Sequence, residues 1–303
     1  MKLFTFAFIP STGTPLLLTA LLVGFFAPPA RAQTGPVPDW ENPGVVARNR
    51  ELPHADLVPF PDANAARRGD RGDSPRMRTL NGDWKFNWVP RPDERPMDFW
   101  QADFDDAHWA TVKVPANMEL QGYGYPIYVN HPYSFRPADP PFIPHDDNPV
   151  GSFRRTFRVP SNWEGMRIFV RFEGVSSAFY LWVNGQSVGY SEGSRTPAEF
   201  DLTPYLTSGE NLLAVEVYRY SDGSYLECQD FWRMSGIFRD VWLIGRPPIH
   251  LRDFWVRTEL DEAYQDAELL LELEVHNQTE ERKNYQLDWQ LRDPRGREVF
   301  SRT

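Results

Sequence analysis

Ala178-Phe179-Tyr180-Leu181-Trp182-Val183-Asn184-Gly185-Gln186-Ser187-Val188-Gly189-Tyr190 is the stretch that decides the fold class. Two runs rich in β-branched and aromatic residues flank an Asn-Gly pair. Both central positions of a tight hairpin turn take φ > 0, which Asn and Gly tolerate best, so the stretch predicts a β-hairpin. Outward from it, alternating runs at 154–159, 167–173, 211–220 and 238–244 predict further strands. No segment carries a sustained apolar period of 3.6, so helices should be few and short. The expectation is a sandwich of two antiparallel sheets. Composition agrees: 28 prolines and 15% aromatic residues in 303 suit loops and strands better than long helices.

The formal charge of −10 excludes the basic stripe of a nucleic-acid groove. Hydrophobic residues at 41% exclude global disorder. Eleven tryptophans read first as core, with stacking on the C–H faces of sugars as their second use. The opening residues 1–32 read as a signal peptide. Lys2 precedes an apolar run from Leu16 to Phe26, and Ala30-Arg31-Ala32 has the small-x-small form of a cleavage site. That run is shorter than the roughly 20 residues that span a bilayer, and no later run is long enough, so the mature chain is expected to be exported, periplasmic or secreted, with no membrane span. Cys228 is the only cysteine, which rules out an intramolecular disulfide. No His or basic partner for it is evident locally, so it reads as buried or incidental.

Residues 33–78 have little periodicity and read as an extended arm on the surface of the fold. Their Arg68-Gly69-Asp70 and Arg71-Gly72-Asp73-Ser74 resemble an adhesion tripeptide but read as turns. Residues 79–246 form the first sandwich. Arg246-Pro247-Pro248 marks a boundary, and strands at 249–257, 267–276, 285–292 and 297–300 open a second one. Residues 247–303 are about half of the roughly 100 residues of an immunoglobulin-like sandwich. The reading is therefore an incomplete second domain at the front of a longer protein.

Four blocks carry a family resemblance: Trp40-Glu41-Asn42-Pro43-Gly44-Val45, Leu80-Asn81-Gly82-Asp83-Trp84-Lys85-Phe86, Pro126-Ile127-Tyr128-Val129-Asn130, and the dense run from Ser221 to Val241. In this order and spacing the chain resembles the amino-terminal portion of the β-galactosidases of glycoside hydrolase family 2. The resemblance implies a jelly-roll sugar-binding domain, an immunoglobulin-like sandwich, then a TIM barrel bearing two catalytic Glu. These act as acid/base and nucleophile in a retaining mechanism. A barrel takes about 250 residues and none match here, so no catalytic acid/base or nucleophile is assigned to this sequence.

The resemblance also implies site residues. Asp230 matches the carboxylate that accepts from galactose hydroxyls and ligates sodium; Asn130 matches a substrate-binding amide. These types suit the work, since a carboxylate accepts twice and offers a hard oxygen, while an amide both donates and accepts. The other reading of Asp230 is a buried carboxylate paired with Arg233 or Arg239. Trp232 is a sugar platform or a plug against the barrel, and Arg233 a clamp or a brace of the Asp230 loop. Asp39, Asn42, Glu192 and Asp222 match a peripheral magnesium site that pins the arm; Glu192 replaces an amide there, and Ser191 and Gly193 differ too. The implied ligands and partners are a β-galactoside, Na+, Mg2+, the barrel portion of the same protein and a full-length homo-oligomer. A non-catalytic carbohydrate-binding module is the rival class, and a β-glucuronidase or β-mannosidase the alternative within the family.

Overall fold

The computed structural model describes residues 36–302 apart from positions 131, 138 and 283. The signal peptide read at 1–32 lies outside them.

The chain folds as two packed antiparallel sheets. The larger has seven strands in the spatial order Ala47–Arg48, Gln186–Glu192, Ala178–Val183, Glu210–Tyr218, Val150–Arg158, Gly82–Val89 and Ala110–Val114. The smaller runs Ala198–Asp201, Arg167–Phe172, Val241–Arg246 and Met77–Thr79. The expected hairpin is present: Val183 pairs with Gln186, and Asn184 and Gly185 take φ of 51° and 82°. The Asn184 side chain further locks the turn by accepting from the Leu212 amide at 2.9 Å.

Alternation explains the core. Leu213, Val215 and Val217 point between the sheets with Phe179 and Leu181 from the neighbouring strand, and meet Val170, Phe172 and Leu243 of the smaller sheet. The Phe172 and Phe179 rings lie 5.0 Å apart. The opposite face of the large sheet is covered as well. Trp40 of the arm stacks on Tyr218 at 5.0 Å, and Phe99 and Trp109 pack on Ala214. Burial on both faces is why the sheet's runs are more apolar than strict alternation requires.

The arm is more than a surface wrap. Ala47–Arg48 is an edge strand, pairing Ala47 with Ser191 and Arg48 with Tyr190. Trp40 and Glu41 are buried, Glu41 accepting from the Ile143 amide and His145, each at 2.9 Å. The chain's one α-helix among the described residues, Ala63–Arg68, is capped by Asp62 and stopped by Gly69 at φ 73°. The Arg-Gly-Asp runs are not the expected turns: Arg68 ends the helix with Gly69 as its C-cap, and Arg71–Asp73 is a short 3-10 helix, where Asp70 accepts from the Gly72 amide and Arg71 is drawn inward to Asp56 and Glu173. Met77–Thr79 belongs to the smaller sheet, so that sandwich begins two residues before the expected boundary at 79.

Gly189 sits at a bulge where the arm crosses the sheet, and a Cβ there would stand 2.4 Å from the Arg48 carbonyl and 2.7 Å from Phe200. Gly189→Ala is expected to cost about 1–3 kcal/mol by overpacking and to release the arm. Limited proteolysis should then cut near residue 50 much faster than in the unmodified protein.

Beyond Arg246 two hairpins follow. Ile249–Leu260 pairs with Ala267–Asn277, and Trp289–Arg292 with Glu298–Arg302 around an Asp293-led turn. Trp255, Val256, Leu260, Val299 and Phe300 on them are exposed. The arm ties the first hairpin down: Arg252 donates to the Leu52 carbonyl at 2.6 Å, and Asp253 accepts from the Ala55 amide at 2.7 Å.

Candidate functional site

Two short segments a hundred residues apart build the site. Ile127–Val129 and Phe231–Arg233 form an antiparallel ladder in which Trp232 opposes Tyr128 and Phe231 opposes Val129. One residue past the ladder on each strand stand Asn130 and Asp230. Side chains alternate along a strand, so Tyr128 and Asn130 share a face with Asp230 and Trp232. The Tyr128 hydroxyl donates to Asp230 Oδ1 at 2.6 Å, and the Tyr128 and Trp232 rings lie 5.6 Å apart. Asn130 and Asp230 line an open cleft of about 650 Å³ with Pro132, Tyr133, Tyr225 and Gln229. The fold thus brings together the three residues read as substrate-binding.

Asp230 is exposed, and among the described residues it makes no ion pair. The reading of a buried carboxylate paired with Arg233 or Arg239 is not what the fold builds. Arg233 donates to the Phe231 and Val129 carbonyls and lies 4.4 Å over the Phe231 ring. Arg239 donates to the Arg195 carbonyl at 3.0 Å. Arg233 is therefore a brace of the Asp230 loop. It also reaches Cys228, whose Sγ lies 3.2 Å from Nη2. Cys228 is half-buried in the cleft wall, and the Arg233 guanidinium five residues on corrects the expectation that no basic partner stood nearby.

Tyr128 escaped the sequence reading. Its hydrogen bond to Asp230, and then the carboxylate's charge, push the phenol pKa up, so it stays a donor through neutral pH. The signal was its place two residues before Asn130, which becomes informative only once the two strands are known to pair.

The set read as a magnesium site divides in two. Asp39 is clamped by Arg48 through two 2.7 Å bonds, and Asn42 accepts from the Gly44 amide at 3.2 Å. Glu192 and Asp222 are buried and face each other. Burial pushes the Glu192 carboxyl up to about 8; the Tyr190 hydroxyl works against that shift and Asp222 adds to it. Neither oxygen of Asp222 has a fixed N–H or O–H donor among the described residues. An acid facing an acid in a buried place needs a proton or a cation between them. Those two side chains therefore fit a cation, while Asp39 and Asn42 are engaged elsewhere. Among the described residues no three His, Cys, Asp or Glu side chains converge.

Residues 77–247 match the family description "Glycosyl hydrolases family 2, sugar binding domain". The chain belongs to glycosyl hydrolase family 2. Among curated relatives, this family 2 chain is 47% identical over 244 residues to a β-galactosidase of Priestia megaterium, covering 79% of this chain and 24% of that protein. It is 48% identical over 242 residues to a β-galactosidase of Halalkalibacterium halodurans, covering 78% and 23%. The chain therefore spans about a quarter of the length of the curated relatives it matches. Among solved structures, a family 2 β-glucuronidase aligns at a TM-score of 0.58 and 24% identity over 75% of this chain and 24% of that one. A β-glycosidase from Bacteroides vulgatus aligns at 0.55 and 24% over 74% and 27%. At that identity these two show that the family 2 fold is shared.

Proposed function

We propose that this chain is the sugar-binding portion of an exported β-galactosidase, and that the whole protein removes terminal non-reducing β-galactose by a retaining mechanism. In this reading residues 79–246 are the sugar-binding domain, residues 247–303 begin the immunoglobulin-like sandwich, and the catalytic carboxylates come from a barrel encoded beyond it. Export rests on the leader read at residues 1–32. The observation that carries the proposal is the convergence of Asn130 and Asp230 at one end of a ladder, on the face shared with Tyr128 and Trp232. Relatives named β-galactosidase at 47% and 48% identity support the substrate.

The division of labour follows from the groups. Asp230 accepts from ring hydroxyls, Asn130 donates and accepts, and Trp232, 52% exposed, offers a flat apolar face to C–H groups. A sodium ion at the hard oxygen of Asp230 would supply fixed positive charge beside those hydroxyls. The choice of a galactoside over a glucuronide rests on the relatives named β-galactosidase. Hydrolysis of p-nitrophenyl β-galactoside and p-nitrophenyl β-glucuronide by the protein from its full reading frame tests this. The galactoside should be preferred by at least about a hundredfold, equivalent to roughly 2.7 kcal/mol. A glucuronide preference, or galactose binding with no hydrolysis of either, would replace the reading with another family member or a binding module.

Glu192 and Asp222 are proposed to hold magnesium, whose charge would neutralise the buried pair. Millimolar MgCl2 should raise the melting temperature by about 2–5 °C, and Asp222→Asn should abolish the shift. An equal shift in both proteins would remove these residues from any magnesium site.

A further inference from the structure

Asp230 is an exposed aspartate on a loop, and nothing in its own chain geometry sets which oxygen faces the cleft. The Cβ–carboxylate torsion is broad and roughly two-fold, and an ionised carboxylate offers about four acceptor positions. Tyr128 removes that freedom. Its hydroxyl lies 2.6 Å from Oδ1, within the range of a charge-assisted O–H···O⁻ bond. The Tyr128 ring is in turn held by its cross-strand partner Trp232, at 5.6 Å and 58°. The backbone register of Ile127–Val129 against Phe231–Arg233 fixes both.

We propose that Tyr128 is a positioning residue of the sugar site: it occupies Asp230 Oδ1 and so presents Oδ2 to the ligand's hydroxyls and cation. This rests on the reading of Asp230 as a galactoside-binding carboxylate. The phenol is well suited to the task. A phenol hydroxyl is protonated at neutral pH and can donate to a carboxylate that only accepts. Tyr128 is 56% exposed, so its hydroxyl has no role in the core and can be removed without leaving a cavity.

A double-mutant cycle in the protein from the full reading frame tests the proposal, because a residue acting through another loses its effect when that other is gone. Tyr128→Phe should lower kcat/KM for p-nitrophenyl β-galactoside about tenfold, as expected for one hydrogen bond to a charged group. In the Asp230→Ala background the same change should do nothing. Tyrosine labelled with ¹³C at Cζ provides a readout without substrate: the Tyr128 resonance, assigned by its absence from Tyr128→Phe, should change its chemical shift in Asp230→Ala, where the hydrogen bond is gone. Equal losses in both backgrounds would make Tyr128 an independent contact and overturn the proposal. An unchanged Tyr128→Phe beside a crippled Asp230→Ala would overturn it while leaving the function reading intact. Unimpaired hydrolysis by Asp230→Ala would overturn both.

Discussion

Replacing Glu199 with glutamine is expected to destabilise the fold by about 3–5 kcal/mol, the usual cost of leaving buried cations without their counter-charge. Glu199 is 5% exposed and sits where three elements meet. Arg246 grips both of its oxygens, the second at 3.0 Å; His54 of the arm approaches to 3.4 Å and Arg171 to 3.8 Å. Burial alone pushes the Glu199 carboxyl up, but the His54 hydrogen bond and the Arg246 charge outweigh it and hold the pKa at about 2. A carboxylate depressed from about 4.5 to about 2 stabilises the folded state fully above the unfolded value, and the contribution is lost as pH falls between them. The unmodified protein should therefore lose stability steeply between pH 4.5 and 2, and Glu199→Gln should show a flatter acid limb. Melting curves from pH 2 to 7 provide the check. A melting temperature at pH 7 within a degree of the unmodified protein would show that the network is not stabilising.

Asp230→Ala is expected to lower kcat/KM for a β-galactoside about a thousandfold while leaving the melting temperature unchanged. Two hydrogen bonds from neutral hydroxyls to a charged acceptor are together worth about 3–6 kcal/mol, and each 1.4 kcal/mol is about a factor of ten. The side chain is exposed and its one hydrogen bond among the described residues is to the exposed Tyr128, so the fold does not depend on it. Steady-state kinetics with a parallel melting curve separate the two effects. A loss under threefold would remove Asp230 from the substrate contacts.

Much of the fold was legible because it depends on local rules. Asn184-Gly185 specified the hairpin through φ alone, and the scarcity of helical period left one short α-helix, Ala63–Arg68, among the described residues. The arm was not legible. Ala47–Arg48 is too short a strand to show alternation, and the burial of Trp40 and Glu41 depends on Tyr218, Ile143 and His145, far along the chain. Asn130, Asp230 and Trp232 were reached through motif blocks rather than through any periodicity. Tyr128 stood inside one of those blocks and was passed over, since its partner lies 102 residues away.

From the sequence alone came the all-β class, the Asn-Gly turn, the family blocks and the residue types that could bind a sugar. These are properties of short segments, set by backbone sterics and side-chain chemistry within a few residues. Only the tertiary structure decided which oxygens are free and which are already taken. Arg48 closed on Asp39, Arg246 and His54 gathered on Glu199, and Tyr128 reached Asp230, while Asp222 was left facing Glu192 with no fixed donor among the described residues. Such pairings form between strands that meet only when the sheets assemble, and burial sets their strength. Both depend on distance in space, which a linear chain does not display.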